Sequence, residues 1–297
     1  MMKSDLQERV AIITGAGGGL GRAHAHLLAR YGAKVVINDI GPGADKVAEE
    51  INSSGGEAIS FQSSVTDEEK IKAMVAETLD RWGKVDILVN NAGNLRDKTF
   101  AKMTLDDFRS VLDVHLIGAV ICTKAVWEHM HRQKYGRIVF TTSSSGLYGN
   151  FGQANYATAK MGLVGLMQTL ALEGAKSNIL VNCLAPTAAT AMSDGLLVPQ
   201  AKRVLQPEAV SPALLPLVSQ CAPTRAIVCA GAGNFARAYI TLTSGLFLGN
   251  DANTTNRLFA SWQVIGDRES EQVPESATAQ IHQELIAAFR SQSENNQ

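Results

Sequence analysis

The sequence predicts an α/β protein built on a doubly wound, seven-stranded parallel sheet with helices on both faces, followed by a C-terminal helical extension. Two observations carry this prediction. Short apolar runs rich in β-branched residues alternate with longer helical stretches up to about residue 230, and such alternation is typical of a parallel sheet. Several of the runs end in small or polar residues, as strands do where ligands bind at the carboxyl edge of such a sheet.

Composition narrows the class of protein. Of the 297 residues, 45% are hydrophobic, which supplies a large core. A formal net charge of −1 gives no reason to expect nucleic acid or an anionic membrane as a partner. No apolar run approaches the ~18 residues of a membrane span, so we expect a cytoplasmic protein without a membrane span or a metal. The cysteines show no CxxC spacing and are expected to be buried thiols of a reducing compartment; they are Cys122, Cys183, Cys221 and Cys229.

The first strand, predicted at Val10–Thr14, is followed at once by a glycine-rich turn and a helix from Arg22 to Tyr31. In this order, backbone N–H groups and the helix N-terminus can face a phosphate. The spacing is GxxxGxG rather than GxGxxG, and a merely structural turn remains an alternative. The glycines that define the spacing are Gly15, Gly19 and Gly21.

The second strand, Lys34–Asn38, ends in Asp39, twenty residues beyond Gly19. A carboxylate at the tip of this strand can accept hydrogen bonds from both adenosine ribose hydroxyls and would repel a 2′-phosphate. Asp39 therefore favours NAD over NADP. The alternative is a cap on the turn at residues 41–43, Gly-Pro-Gly.

The remaining elements continue the alternation. Further strands are predicted at Glu57–Gln62, Val85–Val89, Arg137–Thr142, Ile179–Leu184 and Ala226–Ala230. Helices are predicted at Ala44–Ser53, from Thr66 to about Trp82, from Thr104 to about His131 with a break near Asp113–Gly118, and at Asn155–Gly174. One domain is expected to span residues 1–240, including an apolar, proline-rich lid at about 190–225, and the extension spans 241–297 with disordered final residues.

Tyr156 and Lys160 are four residues apart at the start of a predicted helix, which places their β-carbons about 5–6 Å apart on one face. A phenol with a pKa of ~10 is a poor base at neutral pH, but a nearby ammonium group favours its ionised form. Ser143, at the carboxyl end of the fifth strand, could donate to an oxygen that gains or loses charge. The three residues predict a proton-transfer site.

These motifs, in this order, resemble those of the short-chain dehydrogenase/reductase family over residues 7–192. The resemblance implies a Rossmann fold and hydride transfer between nicotinamide and a carbonyl or alcohol. Tyr156 would be the general acid/base, Lys160 would lower its pKa and hold the nicotinamide ribose, and Ser143 would orient the substrate oxygen. The implied cofactor-binding set adds Gly15, Gly19, Leu20, Gly21, Asp39, Val65, Asn91, Ala92, Gly93, Pro186 and Thr190 to Tyr156 and Lys160.

Departures from the family pattern narrow the resemblance. His115 and Thr187 stand where most members carry asparagine and glycine, and Ser64 where many carry aspartate. With the segment SGLYGNFGQANY at 145–156, His115 makes the chain similar to the dehydrogenase unit of peroxisomal multifunctional enzymes, which oxidise D-3-hydroxyacyl-CoA and 17β-hydroxysteroids, and to their stand-alone bacterial relatives. The resemblance places His115 in a proton relay behind Lys160; a hydrogen-bonded core histidine is the alternative.

The predicted function is that of an NAD-dependent oxidoreductase acting on a secondary alcohol or ketone of a bulky apolar substrate, a 3-hydroxyacyl-CoA or a 17β-hydroxysteroid. Two alternatives stay open: a 3-oxoacyl (acyl carrier protein) reductase, and a non-catalytic dinucleotide-binding interaction protein. Coenzyme A phosphates would need cations near the pocket, for which Arg96, Lys98 and Lys102 are available. A homodimer or homotetramer is expected, with the extension as a contact between subunits.

Overall fold

The structure is a computed structural model that describes residues 6–190 and 198–294, with side chains up to residue 289. The chain divides into two compact units, Met1–Arg237 and Ala238–Gln297. The sequence had suggested a boundary at residue 240. Residues 191–197, which include Leu196 and Leu197 of the predicted lid and the end of the matched motif, lie outside the described residues, as do residues 295–297 of the predicted disordered end.

The first unit contains an eight-stranded sheet in the order β3-β2-β1-β4-β5-β6-β7-β8. The pairs from β3 through β7 are parallel, so the doubly wound parallel sheet is confirmed. The strands are β1 Val10–Thr14, β2 Lys34–Asp39, β3 Glu57–Gln62, β4 Ile87–Asn90, β5 Gly136–Thr141, β6 Ile179–Thr187, β7 Ile227–Gly231 and β8 Asn234–Ala238.

The eighth strand is one more than the sequence predicted. It follows a two-residue turn in which Ala232 and Gly233 have φ of 51° and 76°. Two-residue hairpin turns need positive φ at both central positions, and an alanine does not signal that conformation in a sequence. The turn therefore returns the chain beside β7 where we had expected the sheet to end.

The strand order reverses between β1 and β4. β1 pairs with β2 on one side and with β4 on the other, and the two halves of the sheet wind away from this line. In open α/β sheets the crevice at such a reversal, outside the carboxyl ends of the strands, is where ligands bind. Thr14 and Asn90, the last residues of β1 and β4, border this crevice.

Helices cover the sheet as the alternation predicts. In the first unit they are α1 Gly19–Arg30, α2 Gly43–Ser53, α3 Glu68–Trp82, α4 Leu105–Leu112, α5 Gly118–Gln133, α6 Ser144–Tyr148, α7 Ala154–Gly174, α8 Pro199–Val204, α9 Pro207–Val210 and α10 Leu214–Val218. The predicted break within the fourth long helix is a π-helical segment at Asp113–Ile117. Short 3₁₀ turns lie at Phe100–Lys102, Ala175–Ser177 and Ser211–Ala213.

The lid region is broken by prolines into short helices, with Pro199 and Pro207 in the first turns of α8 and α9. Leu214, Leu217 and Val218 are at most 1% exposed and belong to the main core. Their apolar character is thus explained by packing. An apolar lid could serve either a hydrophobic substrate or packing over the sheet, and at these positions the structure shows packing.

The second unit holds α11 Thr254–Ala260, α12 Trp262–Ile265 and α13 Ala277–Glu294, so the helical extension is confirmed. A bridge between Leu242 and Gln272 joins two parts of this unit that are distant in sequence. Large apolar side chains remain exposed there, among them Phe259 and Trp262.

Among the described residues, one helical stretch, Leu105–Gln133, is long and apolar enough to cross a membrane by length and composition. It comprises α4, the π segment and α5, which pack against α7 and α3 within the first unit. A core helix of a globular domain passes the same test, so the stretch is weak evidence for a membrane span.

Candidate active site

The glycine turn approaches the end of β4 so closely that side chains are excluded. Gly15 and Gly19 have φ of 62° and 50°, and a β-carbon on Gly15 would lie 2.7 Å from the Cα of Ala92. The residue before α1, Gly18, caps the helix without a side chain. The first-turn N–H groups of α1 therefore face the crevice, the arrangement that binds phosphate.

Asn91 joins the ends of β1 and β4. Its side-chain amide donates to the carbonyls of Thr14 and Gly15, each at 3.0 Å. In return the Thr14 hydroxyl accepts from the backbone N–H groups of Asn91 and Ala92 at 3.0 and 3.1 Å. Asn91 thus fixes the shape of the glycine turn.

Asp39 lies beside the same turn. One carboxylate oxygen accepts from the N–H of Gly17 at 2.9 Å, and the other accepts from the N–H of Gly41 at 3.1 Å. Asp39 therefore caps the turn at 41–43, as the alternative supposed, and also faces the glycine turn. An ionised carboxylate offers about four lone-pair positions, so two are left for the hydroxyls of an adenosine ribose.

The other predicted cofactor residues surround this crevice. Leu20 and Val65 are buried, at 8% and 5% exposure, and Pro186 lies in β6. A β-carbon on Gly19 would lie 3.3 Å from the methyl group of Thr190. The contact puts Thr190 against the phosphate turn, while its expected place beside the nicotinamide amide stays a prediction.

Ser143 and Tyr156 come together at the carboxyl end of β5. Ser143 caps α6, where its hydroxyl accepts from the N–H of Ser145 at 3.1 Å. Tyr156 lies in the first turn of α7. Burial raises the pKa of the Tyr156 phenol, a hydrogen bond from Ser143 opposes that rise, and the negative charge of Asp97 adds to it. The phenol is therefore held in its neutral form, ready to donate.

Lys160 lies behind Tyr156, one turn further along α7. It is 3% exposed, its ammonium group donates to the carbonyl of Thr141, and its Nζ is 5.5 Å from the centre of the Tyr156 ring. Burial lowers the pKa of Lys160 to about 7. At neutral pH the amine is thus near half-protonation. Lys160 is not among the groups that shift the pKa of Tyr156, so its predicted lowering of that pKa stays a prediction.

His115 packs between the crevice and these two residues. Its ring makes an edge contact with the Tyr156 ring, the centroids being 5.1 Å apart, and its Nε2 lies 2.8 Å from the carbonyl oxygen and 3.0 Å from the N–H of Asn94. Burial lowers the pKa of His115 to about 3, with the Lys160 charge adding to the effect. The imidazole is neutral at pH 7.

A small cavity of about 10 Å³ joins His115 to Lys160. This is about the volume needed for one water molecule. Two buried polar atoms on its lining residues, Nδ1 of His115 and Oδ1 of Asn90, have no hydrogen-bond partner among the described residues. The cavity is therefore lined by polar atoms beside the Lys160 amine.

Some residues of the site were not predicted. Asn94 directly follows the motif at 90–93 and holds His115, and Thr141 holds Lys160; both act through backbone groups, which leave no sequence signal. The cations proposed for coenzyme A are partly engaged: Lys98 and Arg96 lie 2.7 and 3.7 Å from Asp107.

Within the described ranges, no group of three or more His, Cys, Asp or Glu side chains that could hold a metal ion occurs.

Several known proteins are similar to this chain in amino-acid sequence. A family model described as short chain dehydrogenase matches residues 9–197. A short-chain type dehydrogenase/reductase of Mycobacterium tuberculosis is 43% identical over 273 residues, covering 88% of this chain and 95% of that protein. The peroxisomal hydratase-dehydrogenase-epimerase of Saccharomyces cerevisiae is 44% identical over 274 residues, covering 88% of this chain and 30% of that enzyme.

Two solved structures are also similar. The full-length peroxisomal multifunctional enzyme type 2 of Drosophila melanogaster has a TM-score of 0.81 and 36% identity, covering 96% of this chain and 50% of that chain. A 7α-hydroxysteroid dehydrogenase, solved with NADH and 7-oxo glycochenodeoxycholic acid, has a TM-score of 0.73 and 31% identity. The match covers 79% of this chain and 98% of that chain. The chain thus spans half or less of the two peroxisomal enzymes. Their similarity confirms the predicted resemblance to the peroxisomal subgroup.

Proposed function

We propose, from the premise that the chain belongs to the short-chain dehydrogenase/reductase family of oxidoreductases, that it is an NAD-dependent dehydrogenase. It would transfer hydride between nicotinamide and a secondary alcohol or ketone of a bulky apolar substrate, a 3-hydroxyacyl-CoA or a 17β-hydroxysteroid. The observation that carries the proposal is the convergence of Ser143, Tyr156 and Lys160 at the strand ends that also bear the glycine turn.

The residues around the crevice fit a dinucleotide. Gly15 and Gly19 leave backbone room for a pyrophosphate, and Asp39 faces the position where an adenosine ribose would follow. The choice of NAD rests on the negative charge of Asp39, which opposes a 2′-phosphate. A 7α-hydroxysteroid dehydrogenase of similar fold was solved with NADH, which supports the same choice.

The proposed chemistry uses the chain's own residues for proton transfer. The hydroxyl groups of Ser143 and Tyr156, which are hydrogen-bonded to each other, would both bind the reacting oxygen. In alcohol oxidation the ionised phenol would accept the hydroxyl proton. The bound nicotinamide would supply the hydride acceptor. In ketone reduction the neutral phenol, which burial favours, would donate its proton to the carbonyl oxygen.

The proton then has a route away from the substrate. Lys160, with its pKa near 7, can release a proton at neutral pH. The cavity that it shares with His115 leads from the amine to an unpartnered ring nitrogen. We propose that His115 serves in this relay. The alternative is that His115 only packs in the core, and the His115→Ala experiment in the Discussion distinguishes the two roles.

Exposed apolar residues support the proposed homodimer or homotetramer. Leu105, Ile117, Met161 and Leu172 are 40–69% exposed on the α4–π segment and on α7, which pack together. Exposed apolar surfaces of this kind are typical of protein–protein contacts, and a second copy of the chain could cover this one. A monomer in analytical ultracentrifugation at micromolar concentration would contradict this proposal. The cytoplasmic location stays a prediction.

The test of the proposed function is an assay of nicotinamide reduction. The protein is mixed with NAD and a panel of 3-hydroxyacyl-CoA thioesters, acyl carrier protein thioesters and 17β-hydroxysteroids. Turnover of the first or third group supports the proposal, and exclusive turnover of the second would favour the reductase alternative. Tight NAD binding without turnover of any alcohol would favour the non-catalytic protein.

A further inference from the structure

The loop after β4 presents a carboxylate to the start of α7. Asp97 accepts a hydrogen bond from the side-chain amide of Gln153 at 2.6 Å. The next residue, Lys98, donates its backbone N–H to the carbonyl of Gly152 at 2.9 Å. Two bonds therefore attach this loop to the turn that precedes Tyr156.

The orientation of Gln153 is fixed by two donors. Its Oε1 accepts from the hydroxyl of Ser145 at 2.8 Å and from the side-chain amide of Asn150 at 2.9 Å. The oxygen is thereby occupied, so the NH₂ end must point at Asp97. Ser145 in turn donates its N–H to the hydroxyl of Ser143 at 3.1 Å. A continuous chain of bonds thus links Asp97 to the hydroxyl pair that would hold the substrate oxygen.

The Asp97 carboxylate belongs to the exposed loop after β4. It is exposed, and within the described part of the chain it forms no ion pair, because the neighbouring Arg96 and Lys98 are directed at Asp107, 3.7 and 2.7 Å away. The bonds through Gln153 and Ser145 place this carboxylate near the Ser143–Tyr156 pair, and its charge is one of the causes that raise the pKa of Tyr156.

The other titratable groups around Tyr156 do not cancel this charge. His115, from the π segment, is neutral at pH 7 because burial lowers its pKa to about 3. Lys160, on α7 itself, is only partly protonated because burial lowers its pKa to about 7. Neither group therefore brings a full positive charge beside Tyr156 at neutral pH.

We propose that Asp97 is a specificity-determining residue which, held by Gln153 beside the Ser143–Tyr156 hydroxyl pair, disfavours substrates with an anionic group next to the reacting alcohol. The enzyme would then take a hydroxy acid as its neutral thioester, and reject the free acid. This inference rests on the proposed function. The carboxylate of a free 3-hydroxy acid lies two carbons from the alcohol carbon, so it would lie close to the hydroxyl pair; surface charges act on each other over ~10 Å at moderate salt.

The test compares two substrates with the same acyl chain. One is the uncharged N-acetylcysteamine thioester of a 3-hydroxy acid and the other is the free acid. In Asp97→Asn, the ratio of kcat/KM for thioester over acid should fall by roughly threefold to tenfold, the effect of like charges close together near a surface. Asp97→Glu keeps the charge and should keep the ratio. Glu77→Gln removes an exposed carboxylate on α3 and should change nothing.

An unchanged ratio in Asp97→Asn would overturn the inference. If both kcat/KM values fall in proportion, Asp97 is a positioning residue for the loop; if neither value changes, its charge does not act on the substrate.

A second measurement does not depend on turnover. Ultraviolet titration, as the difference between a protein and its Tyr156→Phe variant, reports the ionisation of this one phenol. Asp97→Asn should lower the pKa of Tyr156, and Glu77→Gln should not. If no alcohol is oxidised at all, the proposed function fails while this titration still decides whether the Asp97 charge acts on Tyr156. An unshifted phenol would overturn the inference.

Discussion

Replacing Asp39 by asparagine tests the assignment of the cofactor. Asparagine keeps the shape and one acceptor for the N–H of Gly17, which lies 2.9 Å from the carboxylate, but it removes the negative charge. A hydrogen bond to a charged group contributes about 1.5–3 kcal/mol. Losing that charge should therefore weaken NAD binding by roughly tenfold to a hundredfold. NADP binding should improve, because the repulsion of its 2′-phosphate disappears.

The assay is the dissociation constant of NAD and of NADP, measured by nicotinamide fluorescence or calorimetry on wild type and Asp39→Asn. Asp45→Asn is the matched control, since Asp45 lies nearby on α2 but bonds to Ser60 and Gln62 of the edge strand. It should leave both constants unchanged. A wild-type protein that binds NADP as tightly as NAD would refute the role of Asp39, as would an Asp39→Asn variant with unaltered preference.

Two further predictions concern the residues behind Tyr156. His115→Ala should lower turnover by roughly tenfold or more while NAD binding and Tm stay unchanged. His115→Asn, which introduces the residue that most family members carry, should recover much of the activity. Loss of folded His115→Ala protein would mean that the histidine only packs. Because the folded pKa of Lys160 is depressed to about 7, the folded state binds fewer protons than the unfolded state above that pH, so the contribution of Lys160 to the unfolding free energy rises as pH increases. Between about pH 7 and 9 this rise should be about 2 kcal/mol, seen in urea unfolding as the difference between wild type and Lys160→Met. Equal pH dependence in the two proteins would show that the amine is not desolvated.

Local patterns explain which parts of the fold could be predicted. Most strands from β1 to β7 are short apolar runs. Thr104 and Asp107 form a capping box, and their spacing in the sequence predicts it. The eighth strand was not predicted, because the turn before it depends on the positive φ of Ala232. Composition could not choose between packing and a substrate for Leu214 and Leu215, because both uses need apolar residues; the structure shows both side chains buried in the core.

The active site shows the same division. The four-residue spacing of Tyr156 and Lys160 could be read directly, because it lies within one helix. The burial of Lys160, which sets its pKa, depends on β5 and β6, distant in sequence. The bond from Gln153 to Asp97 joins residues 56 apart, and nothing local in the chain marks that pairing.

The most direct test of the central claim is the oxidation of a 3-hydroxyacyl-CoA by NAD in wild type and in Tyr156→Phe. Phenylalanine keeps the ring that contacts His115 and removes only the hydroxyl. Turnover should fall by roughly a hundredfold to ten-thousandfold, the contribution of a general acid/base, while the dissociation constant of NAD stays the same. A Tyr156→Phe protein that still reduces NAD at the wild-type rate would contradict the assignment of this phenol as the proton-transfer group.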